Sequence, residues 1–292
     1  MSGGSDAHVF GLGYRRYEGP RLRPAAAVVA LALFTLRRVL GVGRGGRHKV
    51  LPAITLAVAY VPALVSVVVA VLLDDLGVDD LISYGEYTLF IGSAVALFAA
   101  LVAPEALCPD RRSGMLGLYL AGPLDRTRYV LAKGAAVLAA MLAITVGPLL
   151  FMLLAYVVAG HGPPAGETPG LLLRILAVGV LTALLYASVS LAVSSFTTRR
   201  AAAAVAIVLL VLVPPSVSGT AIESAGAPDE LDLIGFPLVA SELSYRIFDE
   251  PATDDAPIHD VSTWLVAGSL VAVVAVGAAV AWLRYRRLEA FR

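Results

Sequence analysis

Long apolar stretches separated by short charged connections dominate the chain. A helix needs about 20 apolar residues to cross roughly 30 Å of hydrocarbon. Six stretches meet that length: Val50 to Leu73, Tyr87 to Leu107, Gly134 to Ala159, Leu171 to Ser195, Ala201 to Ile222 and Val261 to Leu283. Trp264 and Trp282 bracket the last of them, about 27 Å apart at 1.5 Å per residue, which matches the two aromatic belts of a bilayer. A shorter stretch, Pro24 to Leu36, stops at Arg37 and Arg38 after about 13 apolar residues, a length that suits a helix lying in the interface. Residues 1–49 therefore read as a polar N-terminal segment with an interfacial elbow. Between the fifth and sixth stretches, Leu231 to Phe248 mixes apolar residues with Pro237, Glu242 and Arg246, and reads as short helices dipping into the outer interface or as an acidic loop. The pattern predicts an all-α integral membrane protein: six transmembrane helices, an N-terminal interfacial elbow helix, short re-entrant outer helices between spans five and six, and a tail over residues 284–292.

Charge orients this pattern. Of 22 Lys and Arg, 20 fall on one side if the six stretches cross in alternation: nine before the first span, five between spans two and three, two between four and five, and four at the C-terminus. Only Arg174 and Arg246 fall opposite. Sixteen of the 22 acidic residues fall on that opposite side, so a formal net charge of zero hides about +14 on one face and −14 on the other. The positive-inside rule places the basic face, with both termini, in the cytoplasm of a multi-pass inner (plasma) membrane protein. An extra or missing span would scramble this segregation. Most of the basic groups need no further role than attraction to anionic lipid. Cys108, the one cysteine, falls on the cytoplasmic side, where permeant but not impermeant thiol reagents are expected to reach it.

Composition narrows the chemistry. With 59% hydrophobic residues and a mean hydropathy of +0.83, the chain has more apolar surface than a soluble domain of 292 residues buries. A single cysteine excludes an intrachain disulfide, and His8, His48, His161 and His259 have no ligand spacing for a metal. There is no phosphate-binding loop: Gly41 to Lys49 is Gly-rich and basic but lacks the spacing, and neither G-x-S-x-G nor H-E-x-x-H occurs. The chain is thus not expected to be an enzyme or to bind a cofactor. Glu86, Glu105, Lys133, Arg174 and Glu223 lie near span ends and read as side chains snorkelling to the interface, which leaves no buried charge for an ion-coupled carrier. Pro62, Pro104, Pro148 and Pro214-Pro215 can kink spans, and Ser190/Ser194, Gly268/Ala272 and Ala275/Ala279 permit close helix contacts.

One basic-side loop has a distinct pattern. Glu105 to Lys133 reads EALCPDRRSGMLGLYLAGPLDRTRYVLAK. Met115 to Leu120 form a short apolar helix between Ser113-Gly114 and Gly122-Pro123, and Asp125 is placed to cap the next helix. Its apolar side either packs beneath the chain's own spans or docks on a partner.

On these residues the loop resembles that of the type 2 ATP-binding cassette (ABC) transporter permease family, the exporters of the type V fold. The resemblance rests on Glu105 at a span end, the basic turn Arg111-Arg112 leading into Ser113-Gly114-Met115-Leu116, then Pro123, Arg126, Arg128 and Lys133. Gly117 stands where the family often has a second glutamate, and Ala132-Lys133 where it has Gly-Lys. The resemblance implies a permease subunit of an ABC exporter, paired with a second permease copy or a paralogue and with two copies of a separate ATPase that binds ATP and Mg. It casts Glu105, Arg111, Arg112, Gly114, Met115, Leu116, Leu118, Tyr119, Pro123, Arg126, Arg128 and Lys133 as the ATPase-coupling loop. Membrane lipid is expected as a partner and nucleic acid is not. A mechanotransmission or anchor subunit that moves no substrate is the alternative role, and an ion-coupled secondary carrier a third.

Overall fold

The computed structural model describes residues 24–43, 45–72, 83–122, 124–250, 258 and 260–287, without the side chains of Arg47 and His48. The N-terminal residues 1–23, Pro123, the acidic residues 74–80 and 254–255, and the tail 288–292 lie outside the described residues. Among the described residues the chain is helical throughout: α1 (Pro24–Val39), α2 (Arg47–Leu72), α3 (Tyr84–Phe90), α4 (Gly92–Arg112), α5 (Met115–Leu120), α6 (Arg126–Thr145), α7 (Gly147–Ala159), α8 (Thr168–Ser194), α9 (Arg200–Ala225), a 3-10 helix (Asp229–Ile234), α10 (Phe236–Phe248) and α11 (Thr263–Arg287). Six helical stretches are long and apolar enough to cross a membrane: α2, α4, the α6–α7 pair, α8, α9 and α11.

The helices run beyond the apolar stretches that announce them. α4 continues past Leu107 to Arg112, and α6 begins at Arg126, eight residues ahead of Gly134. An apolar count stops at the first charge, whereas backbone hydrogen bonding stops only at a cap. Asp125 supplies that cap, its Oδ1 accepting the amide of Arg128 at 2.7 Å. Within the third span the helix breaks at Val146, with Pro148 in the first turn of α7. Tyr60 of α2 leans on the break, its hydroxyl donating to Ala143 O at 3.1 Å, and a side chain at Gly147 would strike that hydroxyl.

α4 sits at the centre, packed against α1, α2, α6, α8 and α9; α8 beside it packs also on α10 and α11. Burial covers 72% of the central window of α4 against 22% in α9 and α11. α4 is also the least apolar of the six, a combination that fits a helix enclosed by protein, because lipid-facing helices must be apolar on their outer surface. α1 lies along α6 and buries Leu31, Thr35 and Val39, one residue per turn, as an elbow with one inward face.

Segment 231–248 is helix and not an acidic loop. α10 lies against α3, α8 and α11, and Phe236, Val239, Ala240, Leu243 and Phe248 join the main apolar core. Arg246 ties this cap to the sixth span, donating to Glu242 Oε1 (2.7 Å), Thr263 Oγ1 (2.9 Å), Ile258 O (3.0 Å) and Val261 O (2.8 Å).

Small residues have divided roles. Ser190 and Ser194 are buried, but Gly268, Ala272, Ala275 and Ala279 of α11 lie on its outer surface or half-covered. The close approach is at Gly277, where an added Cβ would sit 2.9 Å from the carbonyl carbon and oxygen of Ser188 in α8. Gly277→Ala is therefore expected to lower the unfolding temperature of the purified protein in detergent, with a loss of about 1–3 kcal/mol from overpacking. Gly268→Ala, with nothing within 4 Å, should leave it unchanged or raised.

Candidate functional site

The end of the bundle that carries α1, α5 and most basic residues is organised on Asp110. This residue lies in the last turn of α4, and its carboxylate is enclosed. Two hydrogen bonds and an ion pair converge on it: Arg38 Nη1 from α1 donates at 2.9 Å, the Tyr129 hydroxyl from α6 donates at 3.0 Å, and the Lys133 ammonium from α6 lies 2.6 Å away. Lys133 is 0% exposed. Its ammonium also lies 5.5 Å from the Tyr129 ring centre and 5.9 Å from that of Tyr119, so aromatic faces cover the side that the carboxylate does not. Glu105, a turn and a half earlier on α4, extends the network: it accepts Arg38 Nε at 3.3 Å and pairs with Arg200 at the start of α9. Two carboxylates and three cations thus join α1, α4, α6 and α9.

Lys133 and Glu105 accordingly do not snorkel to water. The helical period explains why: counting back along the buried face of α6 from Ala140 through Val137 and Ala136 lands on Lys133 and Tyr129, which puts both against α4. A buried charge therefore exists, but it is matched by its partners. Of the remaining span-end groups, Arg174 donates to Phe248 O at 2.9 Å, and Glu86 and Glu223 are exposed.

α5 hangs beneath this network. Gly114 precedes it with φ +70°, a left-handed conformation that side chains disfavour. On one face of α5, Leu116 is buried in an apolar cluster with Leu31, Leu107, Leu124, Tyr129, Ala132 and Tyr285. Tyr119 stacks at 5.8 Å on Tyr129, which in turn lies 5.6 Å from Tyr285 of α11. Burial, and after it the charge of Asp110, push the Tyr119 phenol up from its ordinary pKa and keep it neutral. On the other face Leu118 is 68% exposed and Met115, three residues earlier, 38% exposed. The six-residue helix thus divides: one face packs on its own bundle and the other presents apolar surface at the basic end.

The other loop residues serve different ends. Arg111 donates to Ser195 O and Thr197 O and pins the α8–α9 turn to α4, while Arg112 is exposed. Arg126 donates to Arg286 O of α11, next to Trp282 Nε1, which donates to Thr127 Oγ1 at 3.3 Å. Arg128 pairs with Asp125 at 3.6 Å. Pro123 lies outside the described residues. Cys108 is buried, its Sγ 3.5 Å from Thr197 O, so neither class of thiol reagent reaches it in the folded chain. Asp110, Arg38, Tyr129 and Arg200 are not among the site residues that the sequence singles out; the buried period of α6 points to Tyr129, whereas Asp110, Arg38 and Arg200 lie on other helices with no local signal.

A second feature lies in the opposite half. A cavity of about 290 Å³ opens between α3, α4, α8, α9 and α10, with Thr88, Ser93, Thr145, Thr182, Tyr186, Ser216 and Ser241 in an otherwise apolar, uncharged wall.

This architecture has a counterpart among known proteins: the sequence model described as ABC-2 family transporter protein matches residues 77–283. The chain belongs to this family. A search of curated proteins found no match. As an ABC-2 permease the chain is the membrane component of an ABC transporter, a subunit type that carries no ATP-binding motif of its own and generally works with an ATP-binding cassette ATPase. The match runs from ahead of α3 to within α11 and leaves α1 and α2 outside it. Arg38 therefore reaches into the ABC-2 permease core from a helix beyond the matched region.

Removing one partner of a buried ion pair costs about 3–5 kcal/mol. Asp110→Asn leaves Lys133 with no anion in contact and should carry that full cost in the thermal unfolding of detergent-solubilised protein. Lys133→Met leaves Asp110 with Arg38 and Tyr129 and should cost less. The double variant should fall between wild type and Asp110→Asn; equal losses in the two single variants would remove Asp110 from the hub.

Proposed function

We propose that the chain is the permease of an ABC exporter in which α5 is the coupling helix, seated in a groove of a separate ATPase subunit that binds ATP and Mg. The observation that carries this reading is the divided helix: Leu118 and Met115 are turned outward at the basic end, while Leu116 and Tyr119 anchor the same helix to α1, α6 and α11. Exposed apolar groups on a short helix next to charged residues are poorly suited to lipid and well suited to a protein groove.

In this reading the basic end faces the cytoplasm, two ATPase copies serve two permease copies, and closure of the ATPase pair on ATP pushes α5. Because α5 is wedged under Tyr129 and Leu107, the push moves α4 and α6 with it. The uncharged wall of the cavity in the opposite half favours a substrate group that is neutral and mostly apolar.

The test is co-purification of the full chain with its ATPase subunit. Leu118→Asp places a charge on the docking face without touching the packed face, and should reduce the ATPase recovered about tenfold or more. In a Cys108→Ala chain produced without the ATPase subunit, Leu118→Cys should be labelled in intact cells by permeant reagents and not by impermeant ones. ATPase recovery unchanged by Leu118→Asp would overturn the coupling role, and labelling from outside would overturn the orientation.

A further inference from the structure

We propose that a cleft at the basic end, between α1, α2, α4 and α9, is a binding site for one membrane lipid with a phosphate headgroup. The site has two connected parts. A cavity of about 290 Å³ is walled by Leu51, Pro52, Ala100, Leu101 and Ala204, with Arg38, Glu105 and Arg200 at one side. Arg38, Arg200 and Ala201 are shared with a wider opening of about 720 Å³, whose wall adds Arg112, Ser113, Thr198 and Arg199.

Charge in the wider part is unbalanced. Arg38 is committed to Glu105 and Asp110, and Arg200 to Glu105. The guanidinium groups of Arg112 and Arg199 make no hydrogen bond or ion pair among the described residues, which leaves two uncompensated cations facing the same opening.

The start of α9 adds to the imbalance. Its N-cap is Arg199, with no side-chain hydrogen bond to the first turn, and Arg200 follows at the first helical position. Cations at a helix N-terminus oppose the macrodipole, and the exposed first-turn amides there have no side-chain acceptor. α6 in the same chain begins in the ordinary way, on Asp125. An anion in the opening relieves both faults of α9 at once: it pairs with Arg112 and Arg199 and accepts the free amides.

The apolar part identifies the source of the anion. Leu51 and its neighbours Val50 and Ile54 are exposed on the outer surface of α2, and Val205 and Leu209 on that of α9, so the cleft opens onto the surface that meets hydrocarbon. A soluble phosphate fills only the basic part, whereas a phospholipid fills both, with its headgroup at the arginines and acyl chains along Pro52, Ala100 and Ala204. Basic pockets between membrane helices hold anionic headgroups by this combination.

The inference does not depend on α5 as the coupling helix, and its test uses different residues. The full chain is exchanged into mixed micelles of phosphatidylcholine and phosphatidylglycerol in equal amounts, and the lipid it retains is counted by native mass spectrometry. Wild type should keep one phosphatidylglycerol in preference to phosphatidylcholine. Arg112→Gln with Arg199→Gln should weaken this retention about thirty-fold, the loss expected for two headgroup charges. Arg112→Lys with Arg199→Lys should keep it, which separates charge from folding, and Ala204→Leu should reduce it by filling the apolar part. Equal retention of the two lipids by wild type, or full retention in the double glutamine variant, overturns the site. Displacement of the lipid by millimolar inorganic phosphate would make it a soluble-anion site, and loss of retention on binding the ATPase subunit would assign the arginines to that partner; either result overturns the proposal.

Discussion

The basic end of the bundle depends on keeping one carboxylate, Asp110, out of water and fully matched. A buried carboxylate is tolerated only when charge and hydrogen bonds surround it, and here Arg38, Tyr129 and Lys133 come from two different helices. Matching the charge therefore fixes geometry: α1 cannot leave without taking from Asp110 and Glu105 the cation they share, and α6 cannot rotate without moving the ammonium held beside two aromatic rings. Through Glu105 and Arg200 the same constraint reaches the start of α9, and through Tyr129 and Tyr285 it reaches α11. The helix that supplies the carboxylates is the most enclosed of the six, which is the place where a membrane protein can keep them.

Such a network makes the basic end of the bundle resist deformation. α5 is short and would have little stability alone. Its position comes from Leu116 and Tyr119, which sit against residues already fixed by the ion network. Displacement of α5 is thus displacement of the ends of α4 and α6. At the far end Arg246 holds the cap formed by α10 to the beginning of α11, so α10 is tied to a span and is not a free loop.

Hydropathy made the six long apolar helices legible, because lipid imposes length and composition on any helix that crosses it, whereas segment 231–248 stayed open between helices and loop. The short apolar helix and its Asp125 cap were also legible, since capping is local chemistry. Less was visible where function depends on which side of a helix meets protein. From hydropathy Lys133 falls at a span end because its charge interrupts the apolar run, yet the helical period places it inward with Ala136, Val137 and Ala140. Asp110 was one acidic residue among several until α1 and α6 were seen to converge on it. Small-residue spacing marked one buried pair, Ser190 and Ser194, but not the tightest approach: Gly268 and Ala272 are exposed, whereas Gly277 makes the close contact with α8. Both cavities join residues far apart in sequence, and no local pattern encodes such joins.

The order of the network's members along the chain has a consequence for biogenesis. Arg38 leaves the ribosome before Asp110, and Lys133 after it. The carboxylate thus meets a cation that has already been made, and the third span then delivers Lys133 to an anion already in place. A lysine at the centre of a membrane helix resists insertion by about 2.5–3.5 kcal/mol, but this one lies near the helix start and enters beside a waiting counter-charge. Along the chain the cation Arg38 precedes the carboxylates Glu105 and Asp110, and these precede Lys133 and Arg200, so opposite signs alternate in the order of synthesis.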